Sequence, residues 1–433
     1  MSISFRSNMI ASVNSLLLIG GAVLLSSAFA VQAETSIKVW HTLSEHNKKE
    51  FESLVNKFNR QNGDIKVTLN AFSDQDALDT ALGALPSDVA RPELIQIDES
   101  YIPDPSSKRS YLMPLHKVLN NHPIKGVDWF LPAKNSVSRD ASGRLESFPF
   151  ALDIPVIFYN LESFKKANIN PPTPKRSWID LQEQVVEVAN NGSRSCPVTS
   201  DQPVSVNLES LAAVNNQPYF NSGKGKHVFK FDTLYIRHLS LMVGWVRSNM
   251  LVKPDFNDIA TKRFADGECA ILMSNSSNLG WFMGQRGLSF GVAGLPYYPE
   301  VTQEPGLPFI GGSSLWVTKG HSNPTYAAVS QFLEWLASPD QAALWYKNTG
   351  FLPITKEAFK ASGSGKGVLG QWHTLVEPYS KQPVAIAHGF KINNYPEIRA
   401  VLNQTLDNAF GGKQSAVSAL SAASAEAERI ASK

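Results

Sequence analysis

Cysteine is nearly absent: Cys196 and Cys269 are the only two in 433 residues. Two cysteines make no disulfide framework, and in an oxidising compartment one bridge and two buried thiols are both open. They form no cluster, and none of the nine histidines falls in an H-E-x-x-H or similar spacing, which argues against a zinc site. A phosphate loop of the form G-x-x-x-x-G-K-[ST] is missing too. The run "GSGKG" (Gly363 to Gly367) lacks a flanking strand and the final hydroxyl residue, and reads as a surface loop. Charge of one sign is not in excess, with 40 Lys and Arg against 38 Asp and Glu, and there is no basic run. A nucleic-acid partner is therefore not expected.

What is present starts at the N-terminus. Arg6, an apolar run from Leu16 to Leu25 and small residues ending "AFAVQA" make the three-part layout of a secretory signal peptide over 1–33. Cleavage is expected after Ala33, with Ala30 as the alternative. Gly20 and Gly21 break the apolar run, which is short for a membrane span, and no cysteine near the cleavage site could carry a lipid anchor. Roughly 400 residues then remain, more than one ordinary core holds, so two domains are expected.

Along the mature chain the periods alternate. Ile37 to Trp40 predicts a short buried strand; Phe51, Leu54, Val55 and Phe58 form one apolar helix stripe; "IKVTLNAF" after Asn62-Gly63-Asp64 alternates like a strand. Strand, helix, strand implies a βαβ unit and a parallel sheet with helices on its faces. Leu94 to Ile97 is another buried strand, ending in Asp98 and Glu99, where α/β sheets place their ligands. These two acids are expected on opposite faces, as neighbours in a strand, and so unable to flank one glycosidic bond. Ser177 with Asp180 forms a capping box before a helix. Cys269 to Met273, "FGVAGLPYY" and "FIGGSSLWVTKG" read as strands. Val329, Phe332, Leu333 and Leu336 share a helix face, and the Ala/Ser-rich tail from Gln414 has helical potential.

One acid stands out. In "FPFALDIPVIFYN" (Phe148 to Asn160), Asp153 is the only charge in a run that otherwise reads as buried. An unpaired buried carboxylate costs several kcal/mol. Asp153 either caps a turn between two segments or faces a cleft.

Six segments in series carry a family likeness: "VWHTLSEHNKKEFESLVNKFN", "VIFYNLESFKKANINPPTPKRSWIDL", "KRFADGECAILMSNSS", "FIGGSSLWVTKG", "FLEWLASPDQAALWYKNTGFLPIT" and "NNYPEIRAVLNQTL". Together they resemble the extracellular solute-binding proteins of ABC importers for carbohydrates and, within them, the branch that binds glycerol-3-phosphate. The resemblance covers nearly all of the mature chain. It implies an α/β, two-lobe periplasmic binding protein fold of the maltose-binding type. Lobe 1 would span 34–152 plus 315–351 and lobe 2 153–314 plus 352–433, with crossings at Asp153–Val156, near Gly312–Leu315 and near Leu352–Thr355. It also implies a non-enzymatic, monomeric protein of the periplasm, without a cofactor, whose partners are a small polyol-type solute (glycerol-3-phosphate, a glycerophosphodiester or a sugar) and an inner-membrane ABC permease complex.

Carried over position by position, Glu99 matches an acid that accepts from glycerol hydroxyls, Trp178 a cleft tryptophan, Gly312 a backbone donor to phosphate, and Arg399 the arginine that holds it. Trp178 could equally be a hydrophobic staple at its helix start, and the pair Gly311-Gly312 a β-bulge. The chain also departs from the pattern. Asp153 replaces a serine of the phosphate site, Phe351 a tyrosine, Asp74 an aromatic contact, and Asn275 a serine. Two negative charges about 4 Å apart repel by roughly 4 kcal/mol at an effective dielectric near 20, so a phosphate monoester beside Asp153 is disfavoured. Hydroxyl-rich sugars or a cationic head group suit it better. Two other readings stay open on the sequence: an exported glycoside hydrolase using Glu99 with Asp153, and a ligand sensor without transport.

Overall fold

The computed structural model describes residues 34–432 except 87–88, 102–108, 134–135, 137, 174, 194, 224–225, 254–258, 363–364, 382–391 and 393. The expected signal peptide and part of the Gly363–Gly367 loop lie outside the described residues. Twelve strands are defined among the described residues: β1 (Thr35–His41), β2 (Ile65–Ala71), β3 (Leu94–Asp98), β4 (Leu112–Met113), β5 (Phe148–Asp153), β6 (Pro155–Asn160), β7 (Val198–Ser200), β8 (Phe220–Gly223), β9 (Lys226–Phe229), β10 (Ile271–Asn275), β11 (Phe290–Ala293) and β12 (Gly311–Thr318).

Alternation sets the first layer. In β1, Ile37 and Val39 turn inward and meet Phe51, Leu54, Val55 and Phe58 of the helix Glu45–Gln61, the apolar stripe read from the sequence. The first sheet has six strands in the order β2-β1-β3-β12-β4, with β5 also on β12. Strands β1, β2 and β3 are parallel as the βαβ reading expects, but β12 runs antiparallel to β3, β4 and β5. The sheet is mixed because β12 comes from a distant part of the chain and is not the end of a local crossover.

The second sheet has four strands in the order β11-β6-β10-β7, and it is mixed as well, with β6 antiparallel to both its neighbours. β5 passes into β6 through Ile154 alone, so one nearly continuous apolar run serves both sheets. That is why every residue of β6 is buried. Around the second sheet pack the helices Trp178–Glu187, Thr233–Arg247, Tyr395–Phe410 and Ala416–Ala431. Cys196 and Cys269 form a disulfide, their Cα atoms 4.5 Å apart, buried beside Phe158, Phe264 and Phe282. Both glycines of the pair belong to β12, which pairs in the first sheet from Gly311 onward. A register shift follows between Ser313 and Leu315.

Candidate functional site

The end of β3 supplies the first acids. Asp98 closes the strand, and its Oδ1 accepts from the Ser100 N–H at 2.8 Å and from the Ser100 hydroxyl. Glu99 is not a strand residue. It opens the 3₁₀ turn Glu99–Tyr101, so the alternation rule stops at Asp98 and both acids line the same cavity. This corrects the expectation that they face opposite ways. Glu99 accepts from Ser314 Oγ of β12 at 2.6 Å, and Ser138 Oγ lies 2.8 Å from the same hydroxyl.

Asp153 closes β5 where the chain leaves the first sheet. Its Oδ2 accepts from Ser277 Oγ at 2.8 Å. Burial pushes its carboxyl up to about 7; the Ser277 hydrogen bond works against this, and the nearby Asp98 adds to it. Opposite, Gly312 has φ +81°, and a Cβ there would meet the Ala151 carbonyl oxygen at 2.3 Å. Only glycine lets β12 approach β5 this closely.

The helix Tyr395–Phe410 carries Arg399. Its Nε lies 3.3 Å from Glu209 Oε1, and the Tyr395 hydroxyl donates to that same oxygen. Glu209, helped by Asp98, makes the guanidinium hold its proton more tightly than usual despite burial. Glu209 ends a π turn, Ser205–Glu209, a backbone irregularity often found at functional sites.

These groups meet in one cavity of about 200 Å³ between the ends of the two sheets. Of the residues singled out in the sequence, it brings together Glu99, Asp153, Asn275, Gly312 and Arg399. Three others lie elsewhere. Asp74 is an exposed N-cap that accepts from the Ala77 N–H at 2.8 Å. Trp178 is 1 % exposed and packs edge-on to His238, behind its Ser177–Asp180 capping box. Phe351 is buried and stacked on Trp345. Sequence reasoning passed over Glu209, Gln202, Ser205 and Tyr395, which also line the cavity. The signal for Glu209 was there: it is the one charge in "VSVNLESLAAV", as Asp153 is in its run.

The wall is therefore acidic, with Asp98, Glu99, Asp153 and Glu209 set against Arg399. Among the described residues, no three His, Cys, Asp or Glu side chains are placed to hold a metal ion. A G-x-S-x-G spacing does occur at Gly287–Gly291, but it leads into β11 and not from a strand into a helix, and Ser289 is exposed. It is no nucleophile elbow.

A family model described as "Bacterial extracellular solute-binding protein" matches residues 53–366. The chain belongs to that family. This extracellular solute-binding protein is 29% identical over 420 residues, 93% of either chain, to the sn-glycerol-3-phosphate-binding periplasmic protein UgpB of Escherichia coli K12. Among solved structures it is similar to UgpB from Mycobacterium tuberculosis in complex with glycerophosphocholine, with a TM-score of 0.73 at 17% identity, covering 92% of this chain and 99% of that one. The GacH receptor of Streptomyces glaucescens GLA.O, solved unliganded and with acarbose, matches with a TM-score of 0.73 at 18% identity, covering 92% and 98%. The two-lobe α/β fold expected of a solute-binding protein is thus the fold observed. Its cavity sits where the chain passes between the sheets.

Proposed function

We propose that this protein is the periplasmic binding component of an ABC importer, and that its solute is a glycerophosphodiester with a cationic head group. The observation that carries the reading is the charge of the cavity wall: four carboxylates around one guanidinium that is already shared with Glu209. A phosphodiester brings a single negative charge for Arg399, while a phosphate monoester brings close to two. Glycerol hydroxyls suit Glu99, and a cationic head suits Asp153 and Asp98. Relatives named for glycerol-3-phosphate and a structural neighbour in complex with glycerophosphocholine support this reading. Glu99, Asp153, Asn275, Gly312 and Arg399, joined by Asp98 and Glu209, would make the contacts. Closure of the lobes over the solute would then present the protein to its inner-membrane permease.

Isothermal titration of the mature protein against glycerophosphocholine, glycerol-3-phosphate and maltose tests this. Glycerophosphocholine is expected to bind tightest, and more weakly as pH falls from about 8 to about 6, because Asp153 takes up a proton in that window. Glycerol-3-phosphate is expected to bind at least about a hundredfold more weakly and to gain affinity over the same fall. Tighter binding of glycerol-3-phosphate or maltose at neutral pH would overturn the assignment.

A further inference from the structure

We propose that Ser277 is a positioning residue for solute selection: it holds Asp153 so that one carboxylate oxygen faces the cavity, and Asn47 from the opposite half holds Ser277. This rests on the solute class proposed above.

The geometry is specific. Ser277 Oγ donates to Asp153 Oδ2 at 2.8 Å, which occupies that oxygen, and Asp153 lines the cavity. Gly311, itself a lining residue, is its neighbour there: a Cβ on Gly311 would lie 3.6 Å from Oδ1, an ordinary contact. Ser277 lies on the 3₁₀ turn Ser276–Asn278, and that turn is fastened from several sides. The Ser276 N–H donates to the Ile154 carbonyl at 2.8 Å and Ser276 Oγ to the Gly350 carbonyl at 2.8 Å. Asn47, 3 % exposed on the helix Glu45–Gln61 of the first sheet's layer, donates from Nδ2 to the Ser277 carbonyl at 3.0 Å. Just beyond, a Cβ on Gly280 would lie 1.7 Å from the Asn348 carbonyl oxygen, so the turn's following helix is pressed against the first half's backbone. The orientation of Asp153 thus depends on a contact between the halves.

The charged groups that act on Asp153 come from three other elements: Asp98 at the end of β3, Arg399 on the helix Tyr395–Phe410, and Asp201 after β7. None of these donates to Asp153 Oδ2. A donor to the ionised carboxylate favours that form, so deleting the Ser277 hydroxyl makes Asp153 harder to ionise. A hydrogen bond to a charged group corresponds to a shift of about one pH unit.

The test compares wild type, Ser277→Ala, Ser277→Thr and Asn47→Ala, with thermal unfolding to establish that each is folded. The affinity of the mature protein for glycerophosphocholine is measured across pH. In Ser277→Ala the midpoint of the affinity loss should move up by about one unit, Asn47→Ala should move it the same way by less, and Ser277→Thr should restore it. Ser277→Ala and wild-type profiles that superimpose would overturn the proposal. A carboxyl-carbon NMR titration of Asp153 in the ligand-free proteins separates the two readings. If wild type fails to bind glycerophosphocholine, the solute assignment falls, and the Asp153 titration alone decides Ser277: an unchanged midpoint in Ser277→Ala refutes it, an upward shift supports it.

Discussion

Buried Asp153 and half-buried Asp201 are both carboxylates pushed up to about 7, in each case mainly by loss of solvent; Ser274 bonds the Asp201 carboxylate, while its Oδ1 has no hydrogen-bond partner. Raised folded-state values mean that the native protein holds protons the unfolded chain releases between about pH 4 and about pH 7. Stability should therefore fall as pH rises through that window, by a few kcal/mol per group. Denaturant titrations of the ligand-free protein at several pH values should show this slope, and Asp153→Asn with Asp201→Asn should flatten it. Asp153→Ser, which supplies the hydroxyl that the family resemblance implies at this position, should raise glycerol-3-phosphate affinity by about a hundredfold in titration calorimetry, because the repulsion it removes is of order 4 kcal/mol before screening. That Asp153 would line a cavity was legible, since a lone charge in an apolar run needs a reason. Glu209 gave the same signal within a stretch whose π turn no periodicity announces. Trp178 and Phe351 went the other way: an aromatic ring serves a core as well as a cleft, and only packing tells them apart.

Among the elements, β12 does the most to shape the site, and Gly312 is its narrowest point. Gly312→Ala must take a φ of +81° and place a methyl 2.3 Å from the Ala151 carbonyl oxygen. It should cost about 2–4 kcal/mol in denaturant unfolding and weaken solute binding as the two strands part. The helices were readable from their stripes: Val329, Phe332, Leu333 and Leu336 are all buried on the helix Asn323–Ala337, and the Ser177–Asp180 box caps where expected. The direction of β12 was not readable. Periodicity is local, whereas β12 pairs with strands that the chain left long before, and nothing in "FIGGSSLWVTKG" states which neighbour it will meet or which way it will run. The 3₁₀ turn at Glu99 escaped notice for a related reason, since one residue at a strand's end decides whether alternation still holds.

At the scale of the molecule, the disulfide closes a loop over a sequence separation of 73 and ties β10's approach to the segment before β7. Replacing both cysteines by alanine should lower unfolding stability by up to about 4 kcal/mol in the chain-entropy account. Solute selectivity should be unchanged, because neither sulfur lines the cavity. The first sheet has a longer wait built into it. Gln96 of β3 bonds Ser313 of β12 across 217 residues, so a central strand of that sheet is among the later parts of the chain to be made. Until it emerges from the ribosome, β3 and β5 have no common partner, and the loop to be closed is long. The first sheet of such a chain can be completed only once most of it has been synthesised.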